Sequence, residues 1–266
     1  MRTVFQEEIA MAEALFDPVA RFYDYEQRQL DEDIPFYVDY ATQCRGEVLE
    51  GACGTGRILI PMAKAGVTVT GFDISQGMLD VARKNIEKLD QSTRAKISLV
   101  HADLKDFTIE KTFSLIIIAF RSFQCLVTKE EQGTCLERVH KHLADGGLFI
   151  LDLFAPRHDY LAERKRHVTL SPFFDEALGV EVARYADDEY DLAGQTLKED
   201  RVYVWTDKRG NQQRYTWSFE LGYLFRFEAQ LLLEKYGFVV TDVFGDFKKA
   251  PYNYDSGEQI FVAQKK

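Results

Sequence analysis

Between residues 47 and 154 the chain alternates short strand-like runs with helix-length segments, and this rhythm limits what it can fold into. Residues 47–50 read as a strand entering a glycine loop, and 58–65 as a helix closed by Gly66. Residues 67–72 are rich in β-branched side chains and read as the next strand. Ser75 caps a helix reaching to about residue 89. Strands follow at 95–100 and 113–119, then a helix at 129–143 that ends in Asp145-Gly146-Gly147. The run 148–154 is almost entirely apolar, as in a strand with helices on both faces. Strands spaced by such helices form βαβ units. The expected fold class is therefore α/β, a doubly wound, mostly parallel seven-stranded sheet.

The flanks depart from this rhythm. Residues 1–43 read as helical, with Asp17 as a cap and Pro18 at a first helical position. The aromatic run Arg21-Phe22-Tyr23-Asp24-Tyr25 predicts a local break, and a second helix fits 34–44. After Pro156 strand-like runs replace the alternation, at 180–190, 196–206 and 213–225. Leu192-Ala193-Gly194-Gln195 and Lys208-Arg209-Gly210-Asn211 separate them as hairpin signals. The span 157–225 is thus expected as an antiparallel insertion, with residues 1–44 as a helical lid, in a single domain over 1–266. A helix at 226–236 capped by Gly237, and strands at 238–244 and 259–264, predict a final hairpin at one sheet edge.

Length and charge narrow the function classes. The 266 residues can bury a full core without staples. A formal net charge of -10 argues against a broad phosphate-binding face, so no nucleic-acid partner is expected. The apolar runs are too short to span a bilayer, and the acidic start does not resemble a signal peptide. Cys44, Cys53, Cys125 and Cys135 form neither a disulfide framework nor a metal-binding spacing. The expectation is a cytoplasmic, reduced protein, monomer or homodimer, with no membrane partner and no metal.

The glycine loop Glu50-Gly51-Ala52-Cys53-Gly54-Thr55-Gly56-Arg57 lets a ligand approach the main chain closely. The dinucleotide pattern fails on it: counted from Gly54 its third glycine falls on Leu59, and counted from Gly51 its second falls on Cys53. No phosphate loop ending in Gly-Lys-Ser/Thr is present. A second strand ends on Asp73, where a carboxylate can accept both hydroxyls of a ribose.

With those two features, His101-Ala102-Asp103-Leu104 and the strand tip Ala119-Phe120-Arg121-Ser122-Phe123 complete an ordered set across 48–123. The set resembles the motifs of class I S-adenosylmethionine-dependent methyltransferases. Ala52 stands where that family carries its first glycine. The resemblance implies that Glu50 holds the ammonium of the methionine moiety, with Gly51 and Ala52 lining the same site. Arg57 would pair with the carboxylate, or else be a solvated helix residue. Asp73 would take the ribose, and Ile74 and Met78 the adenine ring, although Met78 also fits ordinary core. Ala102, Asp103 and Leu104 would meet the adenine edge, and Ala119 and Phe120 the methionine part. Arg121, Phe123 and Phe154 would face the acceptor. Outside the core the chain is similar to bacterial small-molecule methyltransferases, including sugar-amine N,N-dimethyltransferases, which makes Tyr23 a lid contact on the cofactor.

The implied reaction is direct displacement of the methyl group by an N or O atom of a small molecule, leaving S-adenosylhomocysteine. Candidates for a base are Tyr23, Arg121 and His158. His140 and His142 sit at a helix end, where histidine complements the dipole. Asp187-Asp188-Glu189 reads as a solvated turn, and the aromatics alternating from Tyr203 to Tyr223 read as a packed sheet face. Three alternatives stay open: an aminopropyltransferase, a non-catalytic S-adenosylmethionine-binding protein, and a methyltransferase acting on protein or RNA.

Overall fold

The computed structural model describes residues 20–27 and 31–266, so the start signal at Asp17 and Pro18 lies outside the described residues. Among the described residues, eleven strands fall into two sheets. The larger contains β1 (Val48–Gly51), β2 (Val69–Asp73), β3 (Ile97–His101), β4 (Phe113–Ile118), β5 (Leu143–Phe154), β10 (Phe238–Phe244) and β11 (Glu258–Lys265), in the order β10-β11-β5-β4-β1-β2-β3. The pairs from β5 to β3 are parallel, and β11 is antiparallel to both its neighbours.

Alternation along the strands decides which helices cover which face. Leu49, Ile116, Ile118, Leu151 and Phe261 point to one side, against Cys135, Leu136 and Val139 of helix Lys129–His142 and Leu233 of helix Arg226–Lys235. Val48, Val69, Leu115, Ile117, Ile150 and Ile260 point to the other. There they meet Phe36 and Tyr37 of helix Ile34–Gln43, Leu59 and Met62 of helix Leu59–Lys64, and Leu79 of helix Gln76–Glu87. Both faces are buried, which is why β4 is apolar without a break from Leu115 to Ile118.

Local signals mostly act as expected. Ser75 Oγ accepts the Met78 N–H at 3.1 Å as a helix cap. Thr128 and Glu131 form a reciprocal capping box. Gly66 and Gly237 end helices at φ +96° and +85°. Two expectations are corrected. The aromatic run near Tyr23 does not break its helix, which is continuous over Ala20–Gln27, because Phe22 and Tyr25 pack sideways onto the insertion. Asp145-Gly146-Gly147 does not separate helix from strand. β5 already begins at Leu143, and the glycines form an irregularity between the pairs Phe113–Leu143 and Leu115–Leu148.

The insertion is a four-stranded antiparallel meander of β6 (Lys165–Asp175), β7 (Val180–Asp191), β8 (Thr196–Thr206) and β9 (Gln212–Gly222). A short helix, His158–Glu163, precedes it. The run Asp187-Asp188-Glu189 is corrected from a turn to part of β7, with Asp188 paired to Arg166 in register and through an ion pair at 3.7 Å. Phe22 stacks on Tyr203 with ring centroids 5.4 Å apart, and Tyr25 on Phe173 at 5.6 Å. Helix Ala20–Gln27 thus lies between the insertion and the end of the large sheet. Among the described residues no helix is long and apolar enough to cross a membrane.

Candidate active site

Strand order reverses between β1 and β4, and a crevice opens at the carboxyl ends of strands at such a point. The glycine loop leaves β1 there, and the Phe120 turn leaves β4 beside it. The loop is held by its neighbours' backbones: the Cys53 N–H donates to the Phe72 carbonyl at 2.9 Å, and the Gly56 N–H to the Cys53 carbonyl at 3.0 Å. A Cβ on Gly51 would lie 3.0 Å from Leu104 and 3.1 Å from Phe72, so a side chain there would crowd the crevice wall. Ala52 adopts φ +54°, the left-handed conformation that glycine takes without strain.

A cleft of about 880 Å³, counted out to open solvent, runs along these loops. Tyr23, Ala52, Asp73, Ile74, Met78, Ala102, Asp103 and Leu104 line it. Asp73 is fixed in that lining: Oδ2 accepts the Gly54 N–H and Oδ1 the Ser75 N–H, each at 2.8 Å. Asp103 accepts the Lys105 N–H at 2.9 Å, with the Lys105 ammonium 3.6 Å away. Met78 is both core and cleft wall, 3% exposed. Phe72, Lys105, Ser122, Cys125, Leu126 and Glu131 also line the cleft and were not anticipated. Their signal was weak, since they follow known motifs by a few positions without a characteristic residue type.

The other expected residues lie outside that lining. Glu50, at the tip of β1, is 3% exposed, and its Oε2 has no hydrogen-bond partner among the described residues. Burial pushes its carboxyl up to about 8, with Arg57 opposing the shift and Asp73 and Asp33 adding to it. Arg57 is neither free nor solvated: its two terminal nitrogens donate to Asp33 at 2.7 and 2.6 Å, and its guanidinium lies 5.0 Å from the Phe120 ring centre. Ala119 and Phe120 stand at the β4 tip, where Phe120 and Arg121 have φ +52° and +65°.

Phe123 is corrected: it is fully buried among Leu126, Leu153 and their neighbours, because the 3-10 turn Ser122–Cys125 rotates it into the core. Phe154 is 8% exposed and carries the Arg121 guanidinium 5.6 Å above its ring. His158 is exposed, stacked on Tyr254 and absent from the cleft. His142 is structural, accepting the Ile109 N–H at 3.0 Å.

Asp152, on the last turns of β5, was not singled out by sequence. It is 1% exposed, and its Oδ2 accepts both the Phe120 N–H at 2.9 Å and the Tyr37 hydroxyl at 3.2 Å. Glu258, at the start of β11, meets Arg121 at 3.0 Å. An acidic residue inside an apolar run, as in Leu151-Asp152-Leu153, was the available signal.

Residues 48–147 match a family described as a methyltransferase domain. A cypemycin N-terminal methyltransferase from a Streptomyces species is 28% identical over 219 residues, covering 82% of this chain and 82% of its own. The dTDP-3-amino-3,4,6-trideoxy-alpha-D-glucopyranose N,N-dimethyltransferase of Streptomyces venezuelae is 32% identical over 120 residues, 45% of this chain and 47% of that enzyme. The chain's match thus spans about half the length of that second relative. Among solved structures, the CcbJ methyltransferase from Streptomyces caelestis superposes with a TM-score of 0.75 at 22% identity, over 93% of this chain and 90% of that one. That likeness is one of fold.

Proposed function

We propose that this chain, an S-adenosylmethionine-dependent methyltransferase, moves the methyl group of its cofactor to an N or O atom of a small molecule. The observation that carries the reading is Asp73, clamped by the Gly54 and Ser75 backbones in a cleft that Asp103 and Leu104 also line. The similarity to a cypemycin N-terminal methyltransferase and to an amino-sugar N,N-dimethyltransferase supports a small acceptor.

The residues fit the cofactor. Asp73 would accept the ribose hydroxyls, Asp103 the adenine amino group, and the Leu104 N–H would donate to a ring nitrogen. Ile74 and Met78 would pack on the ring face, beside Ala102. Buried Glu50 Oε2, without a partner among the described residues, is suited to an ammonium. Gly51, Ala52, Ala119 and Phe120 would enclose the methionine part, and Tyr23 would close over it from the lid helix. The cofactor supplies a methyl group on a sulfonium, which leaves as a neutral thioether and so needs no general acid. Alignment and water exclusion by the lid and the insertion would then provide most of the rate.

The test is transfer of labelled methyl from S-adenosylmethionine to a panel of small amines, phenols and sugars, read by mass spectrometry. A labelled product supports the reading. Cofactor binding without transfer to any of them favours a non-catalytic binding protein.

A further inference from the structure

The chain turns at the tip of β4 through two successive left-handed residues that both carry side chains, Phe120 at φ +52° and Arg121 at φ +65°. A Cβ disfavours that conformation, and it persists only where the surroundings fix it. Two arms do so here. On the backbone side, the Phe120 N–H donates to Asp152 Oδ2 at 2.9 Å, and the Tyr37 hydroxyl donates to the same oxygen at 3.2 Å. On the ring side, the Arg57 guanidinium lies 5.0 Å from the Phe120 ring centre and donates to both oxygens of Asp33. Asp33 and Tyr37 stand four positions apart at the start of helix Ile34–Gln43, so both arms spring from one helical turn. The Asp33 side chain goes to Arg57 rather than to the helix cap it could form.

Tyr37, Asp152 and Asp33 are all buried. Burial, with Asp152 and Asp33 nearby, holds the Tyr37 hydroxyl well above its ordinary range, so it stays protonated and donates. A buried polar contact often adds no stability over apolar residues of similar volume, so the contribution of this one is to geometry. We infer that Asp152 and Tyr37 are positioning residues for the methyl donor: Tyr37 orients the Asp152 carboxylate, the carboxylate holds the Phe120 N–H, and the Phe120 turn is thereby set against the methionine half of the cofactor. The inference rests on the methyl-transfer reading above, which puts Phe120 at that half, and adds what keeps it there. Neither side chain touches the reacting atoms. Their effect is on placement, where an error of about 1 Å can cost about 100-fold in rate. Asp73 and Asp103 are held by other bonds, to the Gly54, Ser75 and Lys105 backbones, so a loosened Phe120 turn leaves the nucleoside contacts in place.

The experiment is calorimetry on the full chain and its Asp152→Leu, Asp152→Asn and Tyr37→Phe variants, with thermal melts to verify folding. The probes are S-adenosylhomocysteine and methylthioadenosine, which shares the nucleoside and sulfur but lacks the amino-acid part. Asp152→Leu fills the same space without an acceptor and should weaken S-adenosylhomocysteine by about tenfold or more. Methylthioadenosine affinity should stay within about twofold. Asp152→Asn keeps a side-chain carbonyl for the Phe120 N–H and should recover most of the lost affinity. Tyr37→Phe keeps the packed ring and loses only the hydroxyl, so it reads the same split, at about threefold, even where Asp152→Leu does not fold. Equal weakening of both probes, Asp152→Asn as damaging as Asp152→Leu, or unchanged S-adenosylhomocysteine affinity in Tyr37→Phe would overturn the assignment. Each of these leaves methyl transfer standing, whereas failure of the unaltered chain to bind S-adenosylhomocysteine defeats the underlying reading.

Discussion

The Asp73 carboxylate accepts the Gly54 backbone N–H at 2.8 Å, and this bond ties the tip of β2 to the glycine loop that leaves β1. One side chain therefore shapes the loop and lines the cleft. Asp73→Ala removes two acceptor bonds to the backbone together with those proposed to the ribose. Charge-assisted bonds of this kind contribute about 1.5–3 kcal/mol each. Calorimetry should show S-adenosylmethionine and S-adenosylhomocysteine both weakened by at least ~10-fold. An unchanged affinity would remove Asp73 from the ribose.

Ala52 holds φ +54° with a side chain that disfavours it. The left-handed conformation costs about 1–2 kcal/mol for a residue with a Cβ, and part of the relief is offset by the greater freedom of glycine in the unfolded chain. Ala52→Gly should therefore raise stability by up to about 1 kcal/mol in denaturant titration, with cofactor binding retained. A loss of stability would show that the methyl group packs more usefully than the strain costs.

Phe123 distinguishes core from acceptor contact. Fully buried, it should cost about 3–5 kcal/mol as Phe123→Ala, and the loss should appear as an earlier melt. A variant with normal stability and a raised acceptor KM would restore Phe123 to the substrate.

Glu50 ties the site to pH. Its folded carboxyl titrates near 8, against an ordinary value of 4.5, because it is buried. Between those values the folded chain holds a proton that the unfolded chain has released. Glu50 therefore makes the protein less stable as pH rises through this window. A bound ammonium favours the ionised carboxylate, so cofactor affinity should rise from pH 6 to 8 with uptake of cofactor releasing protons. Glu50→Gln should flatten both the stability slope and the affinity slope. An identical pH dependence in that variant would place the titration elsewhere.

The legible parts of the fold were those with local causes. Strand and helix periods, the Ser75 cap and the glycines at helix ends depend on neighbours a few residues away. The cleft lining was legible for the same reason, since Ala52, Asp73 and Asp103 each lie within two residues of a strand end. What the sequence hid depends on distant partners. Nothing near Arg57 announces Asp33, 24 positions earlier, as its bidentate partner. Arg121 and Glu258 meet across 137 positions, and Asp152 and Tyr37 across 115. The burial of Phe123 follows from a single 3-10 turn that its residue type does not encode. The region at the carboxyl ends of β4, β5 and β11 is built from such pairs, and it was therefore the part that sequence left open.

The most direct test of the central claim is a calorimetric titration of the full chain with S-adenosylmethionine and with S-adenosylhomocysteine. The account predicts saturable binding of both at one site per chain, each weakened by Asp73→Ala. Absence of binding by either ligand to the folded, unaltered chain would contradict it.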